Sequence, residues 1–507
     1  MTAKAAPKPD PAPRIRRAHS VADAPVAASP LGDPRGPFLL PLVLMLVARV
    51  VAWIQLPLAS EDAYITFRYA RHFASGHGLV YNPGEKVMGF SSPLWTAWNA
   101  VGLRLAQDPV LWSRITSLGA DAVTLLCIGR LLERHAGRAS AWCFTFFFAA
   151  WPYFSAVSVS GMENSLMLAL MALGATLAER RHAATGAVLG LLALTRPEGV
   201  VAAGVLALGA RGRDRLIAAG LWLAAMIALT VYFGSPLPQS VLAKSQLYGT
   251  PGPWAGRFWW EWLLPLWLGR WPSAGELNML VPLTVVWAAS LAPGLATLWR
   301  ARHTALARLA AAGLVVWLGY ALLGVAYFYW YLAVPLAGLT MVAAVGLPRL
   351  VRGRALYVAI VLCVFGSWSI ARILYLGRAQ AESASFARVA EALRQRSQAG
   401  EKVMLEPIGM VGFLNPLIVI DEMGLISPRV AQRRMRGAGW YTDIVSAERP
   451  DWLVVRWGVL ARRQAFAGHG DPFRDAAERD SLLARYTALP GQESATGEQD
   501  LVILRRR

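Results

Sequence analysis

The chain has 507 residues, of which 56% are hydrophobic and 16% are charged, and its formal net charge is +19. Several apolar runs are long enough to cross a bilayer, which excludes an ordinary soluble protein and predicts a polytopic membrane protein. The basic residues gather in short clusters between these runs, which is the pattern that sets membrane topology. The positive charge therefore does not indicate a nucleic-acid partner.

The first 36 residues are rich in Pro, Ala and Arg and contain no apolar run typical of a signal peptide. We expect 1–36 to be a disordered, basic cytoplasmic tail. The first spanning helix is predicted at about 38–58, so the N-terminus is cytoplasmic and the sequence SEDAY (Ser60 to Tyr64) emerges outside. Further crossings are expected near 109–129, 139–158, 164–179, 214–233, 279–299, 306–325, 328–347 and 355–376.

The stretch from 183 to 210 begins and ends beside basic clusters but carries Arg196, Pro197 and Glu198 at its centre. It predicts a hairpin of two short helices, with an ionised pair at or near the outer face. A structural turn with a local salt bridge is the simpler alternative. With this hairpin the membrane domain, 37–377, has about 11 membrane helices.

An odd number of membrane helices places the remainder of the chain, 378–507, outside the cytoplasm. There a helical period over 385–398 is accompanied by the short apolar runs KVMLE, LIVID, WLVVR and LVILR. This pattern predicts a soluble α/β domain. Two outer loops, 59–108 and 234–278, lie on the same side, and the second contains a Trp-rich segment typical of an interfacial amphipathic helix.

The acidic pair Glu61 and Asp62 follows the first span and lies in the first turn of a helix predicted over about 61–74. Acids in this position stabilise a helix by about 0.3–1 kcal/mol through its dipole, so a purely structural role is an alternative. Helical spacing puts Glu61 on the face of Arg68 and Asp62 on the face of Tyr69. The two carboxylates should therefore have separate roles.

A carboxylate at the boundary between water and lipid can act as general base toward a sugar hydroxyl. If the leaving group is a lipid phosphate, it needs cations, and four basic residues are expected on the correct side: Arg68, Arg71, Arg196 and Lys244. An inverting transfer requires one base and no carboxylate nucleophile. Arginines near an interface also extend toward lipid headgroups, which is the alternative for each of them.

Metal binding is weakly indicated. The three cysteines, Cys127, Cys143 and Cys363, lie in apolar segments without CxxC spacing. His72 and His77 could join the acidic pair, but no HxH or HExxH spacing is present, so a structural or substrate-contacting role is favoured. The sequence assigns no definite cofactor, and a divalent cation stays open.

Four motifs in order give the membrane part a family resemblance: EDAYITFRYARHFASGHGLVYNPGEKVMGFSSPLW, SGMENSL, TRPEG and PLPQSVLAKS. Together they resemble the GT-C fold, polyprenyl-phosphate-dependent glycosyltransferases, and within these the mycobacterial terminal arabinofuranosyltransferase family. The segment EPIGMVGFLNPLIVIDEMGLISP in the distal domain is similar to related bacterial enzymes, though less distinctively.

The resemblance implies a donor of the decaprenyl-phosphoryl type and a glycan or glycolipid acceptor of the cell envelope. It also implies transfer at the outer face of a bacterial plasma membrane, with arabinofuranose as one candidate sugar. The family usually has two Asp at the acidic pair, so the departure at Glu61 favours Asp62 as base and leaves Glu61 to position substrate or assist a cation. Further cavity residues are expected within the motifs: Tyr64, His77, Asn82, Glu163, Asn164, Glu198 and Gln239.

Two other functions are compatible with the same spans. A lipid-linked sugar flippase or transporter predicts polar groups through the membrane midplane, whereas here they concentrate on one side. A non-catalytic envelope assembly or motility protein predicts an outer cavity without a convergent acid and cations.

Overall fold

A computed structural model gives the fold and describes residues 38–247, 274–323, 325, 328–356, 358, 360–361, 377–460, 471–490 and 500–507. The predicted tail at 1–36, the Trp-rich segment of the second outer loop and most of the predicted crossing at 355–376 lie outside these residues.

Up to residue 350, the described residues fold mainly into helices. They are α1 (Leu39–Gln55), α2 (Glu61–Ala74), α3 (Pro93–Arg104), α4 (Pro109–Ala136), α5 (Arg138–Ala150), α6 (Pro152–Val159), α7 (Asn164–Glu179), α8 (Thr185–Ala193), α9 (Pro197–Ala207), α10 (Gly212–Phe233), α11 (Gln239–Leu247), α12 (Ala274–Arg300), α13 (Ala305–Leu323), a 3-10 turn (Tyr329–Leu332) and α14 (Ala333–Leu350).

Within the described residues, four helical segments are long and apolar enough to cross a membrane: α4, α10, α13 and the continuous stretch Tyr329–Leu350. The crossing predicted at 139–158 is instead two helices, α5 and α6, bent by 54° at Trp151. Pro152 begins α6 and has no backbone N–H to continue the ladder of α5. Counted as one span, this pair makes a fifth, while α1, α7 and α9 are shorter apolar helices. The total of about 11 membrane helices stays a prediction.

The hairpin predicted at 183–210 is present as local structure. Helices α8 and α9 are short and pack together, and the residues between them lead to Arg196, whose backbone is extended. Pro197 follows at the first position of α9, where its missing N–H costs nothing. Arg196 and Glu198 thus lie at the tip, as the sequence predicts.

The last 130 residues contain a five-stranded sheet, and the four apolar runs KVMLE, LIVID, WLVVR and LVILR all supply strands. The strand order is β2-β1-β3-β5-β4; β1 pairs with β2 and β3 in parallel, and β5 is antiparallel to its two neighbours. The strands are β1 (Lys402–Leu405), β2 (Ile418–Asp421), β3 (Trp452–Arg456), β4 (Tyr486–Ala488) and β5 (Leu501–Arg506). The accompanying helices are α15 (Gly377–Arg396), α16 (Ile408–Leu414), α17 (Pro428–Arg434), α18 (Trp440–Glu448), α19 (Trp457–Leu460) and α20 (Ala476–Leu483).

One hydrophobic core joins the first outer loop to this α/β part. Phe67 and Tyr69 of α2 are fully buried in the same cluster as Val403, Val419 and Trp452 of the sheet. Helix α2 packs directly against α16. Since burying aromatic and β-branched side chains is the main source of stabilisation in a core, α2 and the α/β part form one structural joint.

Candidate active site

The acidic pair begins α2, whose first residue is Glu61. Ser60 precedes it in an extended conformation, and the Ser60 N–H donates to the carbonyl of Ser160 at 2.8 Å. The buried Arg114 guanidinium donates to the carbonyls of Leu56, at 2.6 Å, and Val159, at 2.9 Å. These bonds hold the segment that joins α1 to α2, so the start of α2 has a fixed position.

A cavity of about 390 Å³ opens beside this first turn. Its walls come from both parts of the chain: the membrane part supplies one side and the α/β part supplies the other. The polar lining residues are Ser60, Glu61, Asp62, Ser160, Lys244, Glu382, Ser383 and Glu406. Apolar residues, including the aromatic run Phe328, Tyr329 and Trp330, form the remaining lining.

Asp62 faces Lys244 across this cavity. The Lys244 Nζ lies 4.0 Å from Asp62 Oδ2, and both side chains are partly accessible, at 18% and 24%. The Lys244 Nζ also lies 4.5 Å from the ring centroid of Phe328 and 3.4 Å from the Tyr331 hydroxyl. The ammonium group is thus held over aromatic rings and beside a carboxylate, both of which favour a cation.

Glu61 lines the same cavity but is engaged by the α/β part. Its carboxylate accepts hydrogen bonds from the backbone N–H groups of Gly409 and Met410, the latter at 3.0 Å. Burial raises the pKa of Glu61 to about 8, and the two backbone hydrogen bonds oppose this shift. Glu61 thus holds α16, whereas Asp62 faces Lys244 in the cavity, and separate roles for the two acids stay a prediction.

Glu406 is a cavity residue to which the sequence assigned no role. Its Oε2 accepts hydrogen bonds from Arg456 Nε at 2.8 Å and is 2.6 Å from Arg456 Nη2. Burial raises the pKa of Glu406, and Arg456 opposes this by stabilising the charged form. Glu406 directly follows β1 in the chain. Its place at the carboxyl end of a parallel strand, where ligands are often bound, was the signal that could have identified it.

Arg196 and Glu198 do not line the cavity; they lie one aromatic ring away from it. The Arg196 guanidinium pairs with Glu163 and Glu198 and lies 5.1 Å from the ring centroid of Tyr331. Tyr331 is the residue whose hydroxyl contacts Lys244. The structure therefore joins Arg196 to Lys244 through a shared ring, and the partner Glu163, 33 residues distant, was not anticipated.

Arg68 lies in the joint and not at the cavity. It is 2% exposed, and its guanidinium donates to the carbonyls of Tyr81 at 2.8 Å, Gly412 at 2.5 Å and Leu417 at 2.7 Å. These donors bond to carbonyls of the protein itself, so this geometry does not provide the expected contact with a lipid phosphate. Arg71, three residues later, also lies away from the Asp62 cavity, in a second cavity.

The other expected cavity residues have contacts elsewhere. Tyr64 packs on the rings of Phe67 and Phe413, with centroids 5.5 and 5.6 Å away. Asn82 pairs with the backbone of Val419 through bonds of 2.8 and 3.0 Å.

Gln239 Nε2 donates to the carbonyl of Gly424 at 3.0 Å. His77 is exposed, with its ring 5.9 Å from that of His72, and Asn164 is buried at the start of α7. In the part of the chain that the structure describes, none of Tyr64, His77, Asn82, Asn164 and Gln239 lines the Asp62 cavity.

Solved structures of known proteins match this chain over most of its length. The structure of ArnT from Cupriavidus metallidurans bound to undecaprenyl phosphate matches with a TM-score of 0.57 and 12% identity, covering 92% of this chain and 98% of that one. The archaeal oligosaccharyltransferase AglB from Archaeoglobus fulgidus, in complex with an inhibitory peptide and a dolichol-phosphate, matches with a TM-score of 0.50 and 11% identity, covering 83% and 70%. Both have the GT-C fold.

This chain has the GT-C fold. The fold expected from the four motifs is thus confirmed. Arabinofuranosyltransferase AftD from mycobacteria also matches, but with a TM-score of 0.45 and 15% identity over 92% of this chain and 41% of that one, which is too weak to indicate a sugar. No curated protein matches the sequence. Residues 372–497 match a domain of unknown function, DUF8728.

In the part of the chain that the structure describes, no group of three or more His, Cys, Asp or Glu side chains is placed to hold a metal ion. His72 and His77 lie at the far end of α2 from the acidic pair, since α2 runs from Glu61 to Ala74. They are therefore not joined to Glu61 or Asp62 as ligands.

Proposed function

We propose that the chain is an integral-membrane glycosyltransferase, which transfers a sugar from a polyprenyl-phosphate donor to a cell-envelope acceptor at the outer face. The observation that carries this proposal is the accessible Asp62 carboxylate, which faces Lys244 at 4.0 Å in a cavity lined by both parts of a GT-C fold. ArnT, which shares the fold, has been captured with undecaprenyl phosphate, and AglB with a dolichol-phosphate.

Asp62 is the general base in this proposal. It takes the proton of an acceptor hydroxyl as that oxygen attacks the anomeric carbon of the donor sugar. The bond between the anomeric carbon and the phosphate oxygen breaks, and the polyprenyl phosphate leaves with the bonding electron pair. A single displacement of this kind inverts the anomeric centre, and no carboxylate nucleophile is required.

Lys244 provides the cation for the leaving phosphate. Its ammonium lies in the cavity beside the base, and its contacts with Phe328 and Tyr331 limit where it can move. A fixed positive charge stabilises the second negative charge that develops on the leaving phosphate in the transition state more than it stabilises the singly charged donor phosphodiester. The charge of Arg196, in contrast, is already compensated by two glutamates, which supports a role in holding the Tyr331 wall.

Glu406 and Glu382 belong to the acceptor side. They come from the α/β part and line the cavity, where carboxylates repel a lipid phosphate and accept hydrogen bonds from sugar hydroxyls. In this arrangement the donor phosphate lies on the Lys244 side and the acceptor on the Glu406 side.

The finer assignments rest on the sequence. Arabinofuranose is one candidate sugar, because the first outer loop resembles that of the terminal arabinofuranosyltransferases. The cytoplasmic N-terminus and the location of 378–507 outside a bacterial plasma membrane follow from the distribution of basic residues.

A membrane assay with labelled polyprenyl-phosphate sugars tests the proposal. Asp62→Asn removes the base while keeping the size of the side chain, so we expect the transfer rate to fall by about 10²- to 10⁴-fold. Asp108→Asn is the matched control, because Asp108 does not line the cavity and caps α4 through the Leu111 N–H, a cap that asparagine makes equally well. Full activity in a folded Asp62→Asn protein would overturn the assignment of the base.

A further inference from the structure

A second cavity, of about 480 Å³, lies where the far end of α2 meets the α/β part. Among the described residues it shares no lining residue with the Asp62 cavity. Its charged or titratable lining residues are Arg68, Arg71 and His72, and the remainder is apolar or neutral, including Phe413, Asn415 and Leu417. No acidic side chain is present in this described lining.

Among the described residues, the Arg68 guanidinium in this cavity has no ion pair with a carboxylate. Its described hydrogen-bond acceptors are three backbone carbonyls and the Asn82 amide oxygen, all of them neutral. Carbonyl dipoles solvate a guanidinium but leave its net charge in place. A buried positive charge of this kind attracts an anion more strongly than an exposed one, because the surroundings screen it less.

Arg71 adds a second charge with unused donors. Its guanidinium carbon lies 4.4 Å from the ring centroid of Phe413, and in the described part of the chain the side chain has no hydrogen bond or ion pair. A guanidinium has five N–H donors in a planar fork that suits a phosphoryl group. Stacking on Phe413 fixes the plane of this fork without using its donors.

His72 provides a third group. Its Nδ1 lies 3.0 Å from the carbonyl of Val80, so this nitrogen carries a proton and donates it there; Nε2 can accept from a proton-bearing phosphate or, once protonated beside a bound anion, donate to a phosphoryl oxygen. Burial lowers the pKa of His72, and the positive charges of Arg68 and Arg71 lower it further. The local field is therefore positive, and a bound anion would relieve the repulsion among these groups.

We propose that this second cavity binds a phosphoryl group, held by Arg71 and His72 in the field of Arg68. The phosphoryl group comes either from a free phosphate or from a lipid headgroup. This site is separate from the proposed transfer reaction and does not depend on it. It also accounts for the two arginines of α2 that the sequence assigned to phosphate but that do not reach the Asp62 cavity.

Isothermal titration calorimetry on the full-length protein in detergent tests the site in two arms, with inorganic phosphate and with short-chain phosphatidylglycerol. We expect about millimolar binding in at least one arm, weakened about tenfold or more by Arg71→Gln and to a smaller extent by His72→Gln. Binding in the phosphate arm assigns a soluble ligand, and binding of the lipid alone assigns a headgroup.

Arg104→Gln is the matched control, because Arg104 is an exposed arginine at the end of α3 and does not line the cavity. It should bind as the wild type does. Absence of binding in both arms, or equal weakening by Arg104→Gln and Arg71→Gln, would overturn the proposal. Arg71 is partly exposed, so its replacement should leave folding intact, and an unchanged melting temperature without ligand verifies this.

Discussion

The carboxylate of Glu61 accepts the backbone N–H of Met410 at 3.0 Å and that of Gly409 beside it. The two partners are more than 340 residues apart in the chain. This contact ties the first turn of α2 to the first turn of α16, so the wall that carries Asp62 and the wall that carries Glu406 have a fixed separation. The shape of the cavity therefore depends on this contact between Glu61 and α16.

Removing this contact should loosen the joint. Glu61→Ala leaves two buried N–H groups without an acceptor, which should destabilise the protein by about 1–3 kcal/mol. Glu61→Gln keeps one acceptor oxygen and should cost less. Thermal unfolding of the purified protein measures the order: wild type above Glu61→Gln above Glu61→Ala.

Two further variants serve as comparisons for Glu61→Ala. Gly409→Ala should disturb the same joint, because an added Cβ would overlap the carbonyl oxygen of Glu61. Glu391→Ala removes an exposed glutamate that pairs with Arg394 and Gln395 on the surface of α15, and should unfold near the wild-type temperature. If Glu61→Ala behaves like Glu391→Ala, the contact does not hold the two parts together.

The Glu61 carboxyl group should also make the stability of the protein depend on pH. Burial raises the pKa of Glu61 from 4.5 to about 8, so between these values the folded protein keeps a proton that the unfolded chain releases. The free energy of unfolding should therefore fall as pH rises through this interval. Asp421 and Glu422, whose pKa values burial raises to about 6 and about 8, contribute with the same sign.

Melting temperatures of the wild type and of Glu61→Gln, compared from about pH 5 to pH 8, isolate the contribution of Glu61 to this pH dependence of stability. Glutamine does not titrate, so the variant should lose less stability over this interval than the wild type. Parallel curves for the two proteins would contradict the assignment.

The elements that the sequence predicted best are those set by local signals. Helix α2 runs from Glu61 to Ala74 as expected, since its acids, its apolar spacing and the following Gly-rich loop are all local. The four apolar runs became strands for the same reason. The hairpin of α8 and α9 was recognisable because a Pro interrupted an apolar stretch.

Residue roles that depend on distant partners could not be read in this way. Arg68 was assigned to a phosphate, yet its acceptors are the carbonyls of Gly412 and Leu417, almost 350 residues away. Nothing near Arg68 in the chain distinguishes a cation that faces a ligand from one that holds a joint. Glu406 was missed for the converse reason, because its cavity exists only once the two parts are assembled.

Arg68 should be more important for stability than for catalysis. Arg68→Met keeps most of the volume but leaves several buried carbonyls without donors, and we expect a loss of about 3 kcal/mol or more. Arg68→Lys, with one point charge in place of the fork, should recover only part of it. Arg71, on the same helix, makes no such bonds in the described chain. Arg71→Met should therefore unfold near the wild-type temperature. Equal melting temperatures for Arg68→Met and the wild type would contradict this role.

Lys244 should act on the donor. Lys244→Gln removes the only ammonium among the described cavity residues, so we expect a rise of about tenfold or more in the donor KM and a lower kcat. Lys244→Arg should restore part of both. The acceptor KM should change little, and a selective effect on the acceptor would contradict the placement of the phosphate.

Glu406 should act on the acceptor, and Arg456 should act through Glu406. Glu406→Gln removes the charge that accepts sugar hydroxyls, so the acceptor KM should rise about tenfold while the donor KM stays constant. Arg456→Gln removes the cation that keeps this buried carboxylate charged, so it should raise the acceptor KM in the same direction.

Because the two residues form one unit, the double variant should be little worse than Glu406→Gln alone, whereas independent residues would give additive effects. Glu448→Gln provides the control, since Glu448 is also ion-paired in the α/β part but does not line the cavity. Unchanged acceptor kinetics in Glu406→Gln would show that the α/β part closes the cavity without contacting the acceptor through this residue.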